Sequence, residues 1–332
     1  MLNYPKFWKK KKSLFTYFLK PLSYIWLIIT FLDRKFSYPK NSKCPVLCVG
    51  NLTLGGNGKT PSVINFQKKF LKLKYDVHVV TRGYLGSEKG PHKVNNIKDD
   101  INKVGDEALL LSKNGTTWVS KKKFKGIEEA NRQKAELIIL DDGFQNFSIK
   151  KNFSILIIDA NYPFGNGCLF PAGPLREPIK NGIKRANIIL LVGNKKERND
   201  TLQKYPVLKE KEIFFGEIVK SEEKKLNNYS KYIAFAGIAK PEKFFKTLEK
   251  ENFQLIKKYS LANHKKFKKD FLKKILNESK NLDARLITTE KDFVRLPKKY
   301  KKFIECLKIE MKIEKERELI KLLIEKLNIC KN

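Results

Sequence analysis

The stretch VGNLTLGGNGKTP, residues 49–61, constrains the fold more than any other part of the sequence. It follows the apolar run CPVLCVG (44–50), typical of a buried strand, and precedes PSVINFQKKFLKLK (61–74), which has the pattern of a helix. Phosphate-binding loops need this order, because glycines let backbone N–H groups converge on an anion at a helix start. The strict pattern G-x-x-x-x-G-K-[ST] requires glycine where Thr53 stands, so this loop is a variant.

We predict a nucleotide site in this loop; the alternative is a simple turn. The segment LGGNGKT resembles variant phosphate loops of the form xGGxGK[ST], although it lacks the lysine that some of them carry where Leu54 stands. A lysine in the position of Lys59 reaches the bridging and terminal phosphate oxygens. The predicted nucleotide contacts are Leu54, Gly55, Gly56, Asn57, Gly58, Lys59, Thr60 and Pro61.

Apolar runs alternate with helical stretches from 44 to 192, which predicts an α/β fold with a mostly parallel sheet flanked by helices. Together with the loop, this pattern is P-loop NTPase-like, and a second strand–helix series near the C-terminus predicts a smaller α/β domain. The predicted organisation is an N-terminal membrane-associated helix region (1–40), a nucleotide-binding and catalytic domain (41–194), a linker or hinge (195–232), the smaller α/β domain (233–310) and a C-terminal helix (311–332). This last helix is amphipathic and can pack on either domain, the first domain included.

Two pairs of acidic residues are candidates for the site. ELIILDD ends in Asp141 and Asp142, which we expect at the carboxyl edge of the sheet, where they can supply oxygen ligands for Mg²⁺. The alternative is a strand that ends in a solvated turn. In VGDEALLLSK, Asp106 and Glu107 begin a helix, and their alternative reading is an N-cap and a first-turn acid.

The composition limits the partners without identifying one. Seventy Lys and Arg against 35 Asp and Glu give a net charge of +35, which favours nucleic acid, phosphorylated substrates or acidic lipid. The lysines are spread along the chain, so compositional drift is an equal alternative. The five cysteines are scattered and form no CxxC motif, so we expect them to be reduced thiols. The chain has only three histidines, so we do not expect a zinc or haem site.

The N-terminal region has the character of a membrane-surface helix. Its uncharged run from 21 to 32 has twelve residues, fewer than the ~20 needed to span a bilayer. Lys20 and Pro21 interrupt the longer apolar stretch, and the many aromatic residues suit the headgroup boundary. A signal peptide and a helix packed on the protein's own core are the alternatives, and no small-residue cleavage site supports the first.

Five motifs in order closely resemble the tetraacyldisaccharide 4'-kinases of lipid A biosynthesis: VGNLTLGGNGKTP, TRGY, GDEALLL, DDGFQN and FPAGPLREP. The match is dense over 46–178 and thins to NH at 263–264 and TTEKDFVRLP at 288–297. The resemblance implies transfer of the γ-phosphate of ATP, with Mg²⁺, to the 4'-hydroxyl of a tetraacyldisaccharide 1-phosphate, forming lipid IVA. It also implies work at the cytoplasmic face of the inner membrane, with no nucleic acid or protein partner.

The resemblance further implies a role for each matched residue. Lys59 would hold the β- and γ-phosphates and stabilise developing charge, and Asp106 would be the general base, with His264 as its partner. The implied Mg²⁺ ligands are Thr60, Asp141, Asp142 and Glu107. Weaker candidates for substrate or phosphate contact are Arg82, Gln145 and Arg176.

Three positions depart from the family pattern, and two other functions compete with it. Asn146 stands where His is usual, Asn263 where Asp is usual, and Leu85 where glycine is frequent. The first rival is an ATP- or GTP-driven switch or maturation factor, since IILLVGNKKE (188–197) mimics the guanine-reading N-K-x-D with Glu197 in the Asp place. The second is a polyanion binder, although no nucleic-acid module is recognisable.

Overall fold

The structure, a computed structural model, describes residues 5–10, 13–56, 58–222, 226, 230–263 and 267–329. Within these ranges the chain forms two compact units. The larger unit contains residues 5–218 and the chain from 311 onwards, and the smaller contains 219–310. Asn57 and His264, both predicted as site residues, lie outside the described residues.

Each unit has its own sheet. The strands are β1 (Val46–Gly50), β2 (Val77–Thr81), β3 (His92–Lys93), β4 (Thr117–Val119), β5 (Leu137–Asp141), β6 (Phe153–Asp159), β7 (Ile188–Val192), β8 (Glu212–Lys220), β9 (Lys231–Ala236), β10 (Gln254–Ser260), β11 (Arg285–Thr289), β12 (Ile304–Leu307) and β13 (Ile309–Ile313). The α-helices are α1 (Leu14–Phe36), α2 (Lys59–Lys72), α3 (Ile101–Val104), α4 (Asp106–Ser112), α5 (Lys123–Arg132), α6 (Ile179–Arg185), α7 (Lys195–Lys204), α8 (Pro241–Lys250), α9 (Lys269–Asn281), α10 (Glu290–Arg295), α11 (Lys298–Lys301) and α12 (Glu316–Leu327). Two short 3₁₀ helices cover Lys6–Lys9 and Pro206–Glu210.

The sheet of the larger unit has the spatial order β13-β8-β7-β6-β1-β5-β2-β4-β3, as far as the structure describes the chain. The strands from β8 to β4 pair in parallel, and β3 pairs antiparallel with β4. β1 lies between β5 and β6, with Val49 opposite Asp141. The carboxyl ends of these central strands therefore meet at one edge, as predicted for a ligand-binding α/β sheet.

The sheet core explains why the strands could be recognised. All residues of β1, β2, β5 and β7 are buried, as expected for parallel strands covered by helices on both faces. α2 buries Val63, Phe66 and Phe70 in this core, and the last helix, α12, buries Leu319 and Leu323 in the same cluster. Each such side chain contributes roughly 1.5–3 kcal/mol of hydrophobic free energy.

The expected linker over 195–232 is wrong for most of its length. α7 begins in a capping box, in which Asn194 and Glu197 bond each other's backbone N–H groups, and β8 joins the large sheet beside β7. The helix buries only Arg198 and Thr201, so its sequence lacks an apolar period. β8 carries charged residues along a half-exposed strand, which made the segment resemble a linker.

Helix α1 runs without a break through Pro21. Proline lacks a backbone N–H group, so Pro21 removes one helical hydrogen bond, but the helix continues beyond it. The helix contacts the larger unit along a narrow stripe and exposes most of its apolar residues, which excludes a core helix. It is long and apolar enough to cross a membrane, and 11% of its apolar window is buried. The stripe consists of Thr16, Leu19, Ser23, Trp26, Leu27 and Thr30.

The smaller unit has a parallel four-stranded sheet in the order β10-β9-β11-β12. Alternate residues of β9 point to opposite faces, so Tyr232 packs with Phe244 and Phe245, while Phe235 packs with Leu272. The α/β fold class, with a second and smaller α/β part, is thus confirmed.

Candidate active site

The glycine loop connects β1 to α2 at the carboxyl edge of the large sheet. Gly50 ends β1 where a Cβ atom would come within 2.5 Å of the Phe144 Cβ, so only glycine fits there. Gly58 is the N-cap of α2 and has φ +85°, a left-handed conformation that glycine adopts without strain. Lys59 and Thr60 consequently begin the helix, where backbone N–H groups lack intrahelical partners.

The remaining loop residues are positioned by their neighbours. The Leu54 amide donates to the Pro174 carbonyl at 2.8 Å, and Gly55 has φ +107°. Gly56 is exposed, with open space around it, and Pro61 lies half-buried in the first turn of α2. The loop therefore leaves its middle section accessible while its start is fixed.

Lys59 is the cation of the loop and is largely enclosed, with 14% of its side chain exposed. Its Nζ donates to the Asn51 Oδ1 at 2.8 Å and forms an ion pair with the Asp142 Oδ1 at 3.0 Å. Asn51 is fully buried, and its amide nitrogen donates to the Thr53 carbonyl at 2.7 Å. Sequence reasoning missed Asn51, although a polar residue directly after a buried strand was an available signal.

Asp142 follows β5 and has φ +50°. Two cationic side chains form ion pairs with the same carboxylate oxygen of Asp142. Besides Lys59, the Arg176 Nη1 donates to its Oδ1 at 2.9 Å. Burial alone would raise the pKa of this carboxyl, but the Arg176, Lys59 and Lys123 charges outweigh it and hold the pKa well below its usual range. Asp142 is therefore ionised at every physiological pH.

Asp141, one residue earlier, has the opposite electrostatic environment. It is buried, and its Oδ2 accepts from the Thr81 hydroxyl at 2.9 Å. Burial, with the Glu107 and Asp142 charges, raises its pKa to about 6. The two adjacent carboxyl groups thus differ in charge balance as well as in position.

Lys123 binds the backbone of both acidic residues and was missed by sequence reasoning. Its buried Nζ donates to the Asp141 carbonyl at 2.5 Å and to the Asp142 carbonyl at 2.7 Å. Burial lowers its pKa, against the neighbouring acidic charges. In the sequence it is one of three consecutive lysines, and no local pattern separates it from Lys121 and Lys122.

Gln145 joins the carboxylate turn to the glycine loop. Its Oε1 accepts from the Arg176 Nη1 at 3.0 Å, and its Nε2 donates to the Asn51 carbonyl at 2.9 Å. The same Nε2 donates to Glu177 at 3.0 Å, and Arg185 holds Glu177 through two hydrogen bonds of 2.5 and 2.7 Å. A continuous network therefore connects Lys59, Asp142, Arg176 and Gln145.

The second acidic pair begins α4. The N-cap is Gly105, with φ +86°, so Asp106 is the first helical residue and not the cap. Asp106 is 5% exposed and Glu107 is half-buried. The Glu107 charge adds to burial in raising the pKa of Asp141, so this helix start lies near the end of β5.

Other predicted positions contribute less to the described geometry. Arg82 is exposed directly after β2. Leu85, which stands where the family resemblance led us to expect glycine, has φ +67°, a left-handed conformation that glycine adopts more readily. The Asn146 Oδ1 accepts from the Ser148 amide and hydroxyl at 3.1 and 2.8 Å, closing a turn. The predicted partner of Asp106, His264, cannot be placed because it lies outside the described ranges.

The guanine-reading resemblance of 188–197 has a structural explanation. Glu197 accepts from the Asn194 amide at 3.1 Å and from the Asn161 Nδ2 at 2.5 Å, so its carboxylate serves the start of α7. No three His, Cys, Asp or Glu side chains within the described part of the chain are close enough to hold a metal by themselves.

Comparison with known proteins agrees with this site. The family model described as tetraacyldisaccharide-1-P 4'-kinase matches residues 15–328. The tetraacyldisaccharide 4'-kinase of Paramagnetospirillum magneticum is 37% identical over 309 residues, covering 92% of this chain and 93% of the relative. That of Parvibaculum lavamentivorans is 38% identical over 301 residues, covering 88% and 86%.

A solved structure shows the same fold. The "apo" form of LpxK from Aquifex aeolicus, in complex with ATP, superposes with a TM-score of 0.76 at 26% identity, covering 95% of this chain and 100% of that one. The P-loop NTPase-like prediction is thereby confirmed. With a family match over nearly its whole length and relatives more than one-third identical, the chain belongs to the tetraacyldisaccharide-1-P 4'-kinase family.

Proposed function

We propose that this chain is an ATP-dependent kinase that transfers the γ-phosphate of ATP to the 4'-hydroxyl of a tetraacyldisaccharide 1-phosphate, forming lipid IVA in lipid A biosynthesis. The observation that carries the proposal is the glycine loop at the start of α2, with Lys59 held beside Asp142. The names of the relatives and the ATP in the LpxK structure support it.

The donor side would bind the triphosphate through the loop backbone and Lys59. Lys59 and Arg176 both neutralise Asp142, so each cation can exchange that carboxylate for phosphate oxygens without losing a partner of opposite charge. Phosphoryl transfer depends mainly on position and charge neutralisation, which such a pair of cations supplies.

The acidic residues fit Mg²⁺. Burial and the like charges of Glu107 and Asp142 raise the pKa of Asp141, so a divalent cation would relieve repulsion there. Mg²⁺ commonly takes one or two carboxylates together with phosphate and water, so a set of three protein acids is unnecessary. When bound, it would neutralise charge on the transferred phosphoryl group. The candidates for holding it are Thr60 together with one or two carboxylates from the set Asp141, Asp142 and Glu107.

On the acceptor side, Asp106 would take the proton of the sugar hydroxyl, with His264 as its partner. A buried carboxylate at a helix start suits this role, since the surrounding structure fixes its direction. We expect Asp106→Asn to lower kcat at least about a hundredfold with ATP affinity unchanged. Asp100→Asn is the matched control, because Asp100 caps α3 through the Asn102 and Lys103 amides. Equal losses of rate and ATP affinity would indicate a structural role for Asp106.

The apolar face of α1 points away from the protein, which supports membrane association. The helix turns small and polar residues such as Ser23 inward, and Phe18 (78% exposed) and Ile25 outward. A four-chain lipid leaves the bilayer at a cost of about 0.8 kcal/mol per CH₂ group, so the enzyme would bind at the surface, on the cytoplasmic face of the inner membrane. Replacing Phe15 and Phe18 by Ser should reduce sedimentation with anionic vesicles; unchanged sedimentation would contradict the proposal.

The direct test is incubation of the purified chain with γ-labelled ATP and the tetraacyldisaccharide 1-phosphate. We expect a labelled lipid product that requires both Mg²⁺ and the acceptor. A competition experiment with unlabelled nucleotides separates the kinase from a GTP-driven switch. Protection by ATP and not by GTP supports the kinase, whereas GTP-selective binding without a labelled lipid would favour the switch.

A further inference from the structure

The segment 168–176 lies between α1 and the glycine loop and is bonded on both sides. On the loop side, the Arg176 amide donates to the Leu52 carbonyl, and the Pro174 carbonyl accepts from the Leu54 amide, both at 2.8 Å. On the other side, three side chains from the N-terminal region donate to its carbonyls at 2.9 to 3.0 Å. These bonds run from Ser23 to Leu169, from Trp8 to Pro171 and from Trp26 to Arg176.

Arg176 is the residue at which the two sides meet. Its carbonyl accepts from the Trp26 Nε1 at 2.9 Å, its amide bonds the chain that enters the loop, and its guanidinium reaches Asp142 and Gln145. Its Nε is buried and has no hydrogen-bond partner among the residues that the structure describes. A side chain unsupported at Nε depends on its backbone for orientation, and Trp26 fixes that backbone.

We propose that Trp26 is a positioning residue that sets the Arg176 guanidinium beside Lys59, so that the seating of α1 on the enzyme controls phosphoryl transfer. The inference rests on the kinase activity proposed above and adds to it a role for the helix. Helix α1 is a support of the active site and not a detachable tether. A disturbance of its inner stripe should reduce turnover even when its outer, apolar face still holds the membrane.

Trp8 provides a matched control for Trp26. Each indole N–H donates to a carbonyl of the same segment, and each ring packs edge-on against Phe170, at centroid distances of 6.3 and 5.1 Å. The carbonyl that Trp8 bonds belongs to Pro171, whereas the one that Trp26 bonds belongs to Arg176, whose guanidinium pairs with Asp142. Trp26→Phe and Trp8→Phe each remove one donor and keep an aromatic ring.

We expect Trp26→Phe to lower kcat about fivefold, the effect of one lost hydrogen bond, with KM for ATP and vesicle sedimentation unchanged. Trp8→Phe should change kcat by less than about twofold. Wild-type enzyme is assayed in parallel. If wild type transfers no phosphate, the proposed function fails; if wild type is active and the two variants behave alike, only the role of Trp26 fails.

A double-mutant cycle with Arg176→Lys tests whether Trp26 acts through Arg176. In that background Trp26→Phe should lower kcat by less than about twofold, because the guanidinium it positions is already gone. Retention of the full loss, about fivefold, would overturn the proposal. So would a Trp26→Phe enzyme whose ATP affinity and thermal stability fall in step with its rate, since that pattern indicates general structural damage.

Discussion

Asp141 and Asp142 are neighbours in the chain but lie in opposite electrostatic surroundings. Asp142 has Lys59 and Arg176 on one oxygen, and these charges lower its pKa. Asp141 is buried near Glu107, and its pKa rises to about 6. The turn with φ +50° at Asp142, held by Lys123, points the two side chains into these different environments.

The difference shows how one sheet edge can receive two kinds of ligand. At Asp142 the positive charges exceed the negative, so an incoming phosphate group finds cations that are already in place. At Asp141 the negative charges exceed the positive, so an incoming metal cation is favoured there. An excess of positive charge and an excess of negative charge thus lie at adjacent residues. Five experiments test this difference, from the largest expected effect to the smallest.

Lys59→Ala should lower phosphoryl transfer about a thousandfold, because it removes the cation that would stabilise charge on the transferred group. The measurement is transfer of labelled phosphate by purified enzyme at saturating ATP. Lys69→Ala is the matched control, since Lys69 lies on the same helix and pairs with Glu316 away from the loop. Substantial residual transfer by the Lys59 variant would refute the role of this lysine.

Asp141→Asn should stabilise the protein while it impairs activity. The amide keeps an oxygen for the Thr81 hydroxyl but carries no charge to be buried. From the raised pKa we expect the free energy of unfolding at about pH 7 to rise on the order of 2 kcal/mol, and the kinase rate to fall about a hundredfold. Denaturant unfolding and rate assays measure both quantities. A destabilised variant would show that burial and like-charge repulsion do not dominate at this residue.

Asp142→Asn should change stability in the opposite direction. Its loss leaves Lys59 and Arg176 without their anion, but the carboxyl group is about one-third exposed, which weakens the effect. We expect the free energy of unfolding to fall by about 1 kcal/mol. Equal shifts for the Asp141 and Asp142 variants in the same unfolding assay would invalidate the contrast between them.

The pH dependence of wild-type stability should separate the two acids. The folded chain keeps a proton on Asp141 up to pH about 6, whereas the unfolded chain releases it near the usual pKa of about 4. The stability due to Asp141 is therefore full below about pH 4 and lost as the pH rises through 6. The stability due to Asp142 is present above about pH 4 and lost as the pH falls.

Lys123→Met should produce the smallest effect. The Lys123 charge lowers the pKa of Asp141, so its removal should move the midpoint of the pH–stability profile, measured by denaturant unfolding without Mg²⁺, upward. Lys121→Met, an exposed neighbour, serves as the control and should leave the midpoint in place. A downward shift for the Lys123 variant would contradict the charge balance derived for this turn.

The sequence was sufficient for those parts of the site that depend on local pattern. A buried strand, a glycine loop and a helix are consecutive, so local order alone placed Lys59 and Thr60 at a helix start. Asp141 and Asp142 could be placed at a strand end for the same reason. Family resemblance added Asp106 and Arg176, whose roles no local pattern indicates.

What could not be predicted depends on residues that are distant in the chain. Lys123 reaches Asp141 across 18 positions, and Arg176 reaches Asp142 across 34. The pKa of Asp142 is lowered by the distant Arg176, Lys59 and Lys123 charges, whereas burial and the Glu107 and Asp142 charges raise that of Asp141, and no local pattern separates the two acids. The misread linker has a local cause, because α7 is polar on nearly every side and gives no helical period.

Helix α1 exposes most of its apolar side chains, and this has a practical consequence for handling the protein. Without lipid, the outward aromatic and aliphatic side chains of α1 would be exposed to water. Self-association of the protein or bound detergent would then cover this apolar surface. Because the inward residues make the enzyme-specific hydrogen bonds, the outer positions can be redesigned as Lys, Glu or Gln without touching them. A water-dispersible version made in this way should retain turnover on short-chain, micellar acceptors.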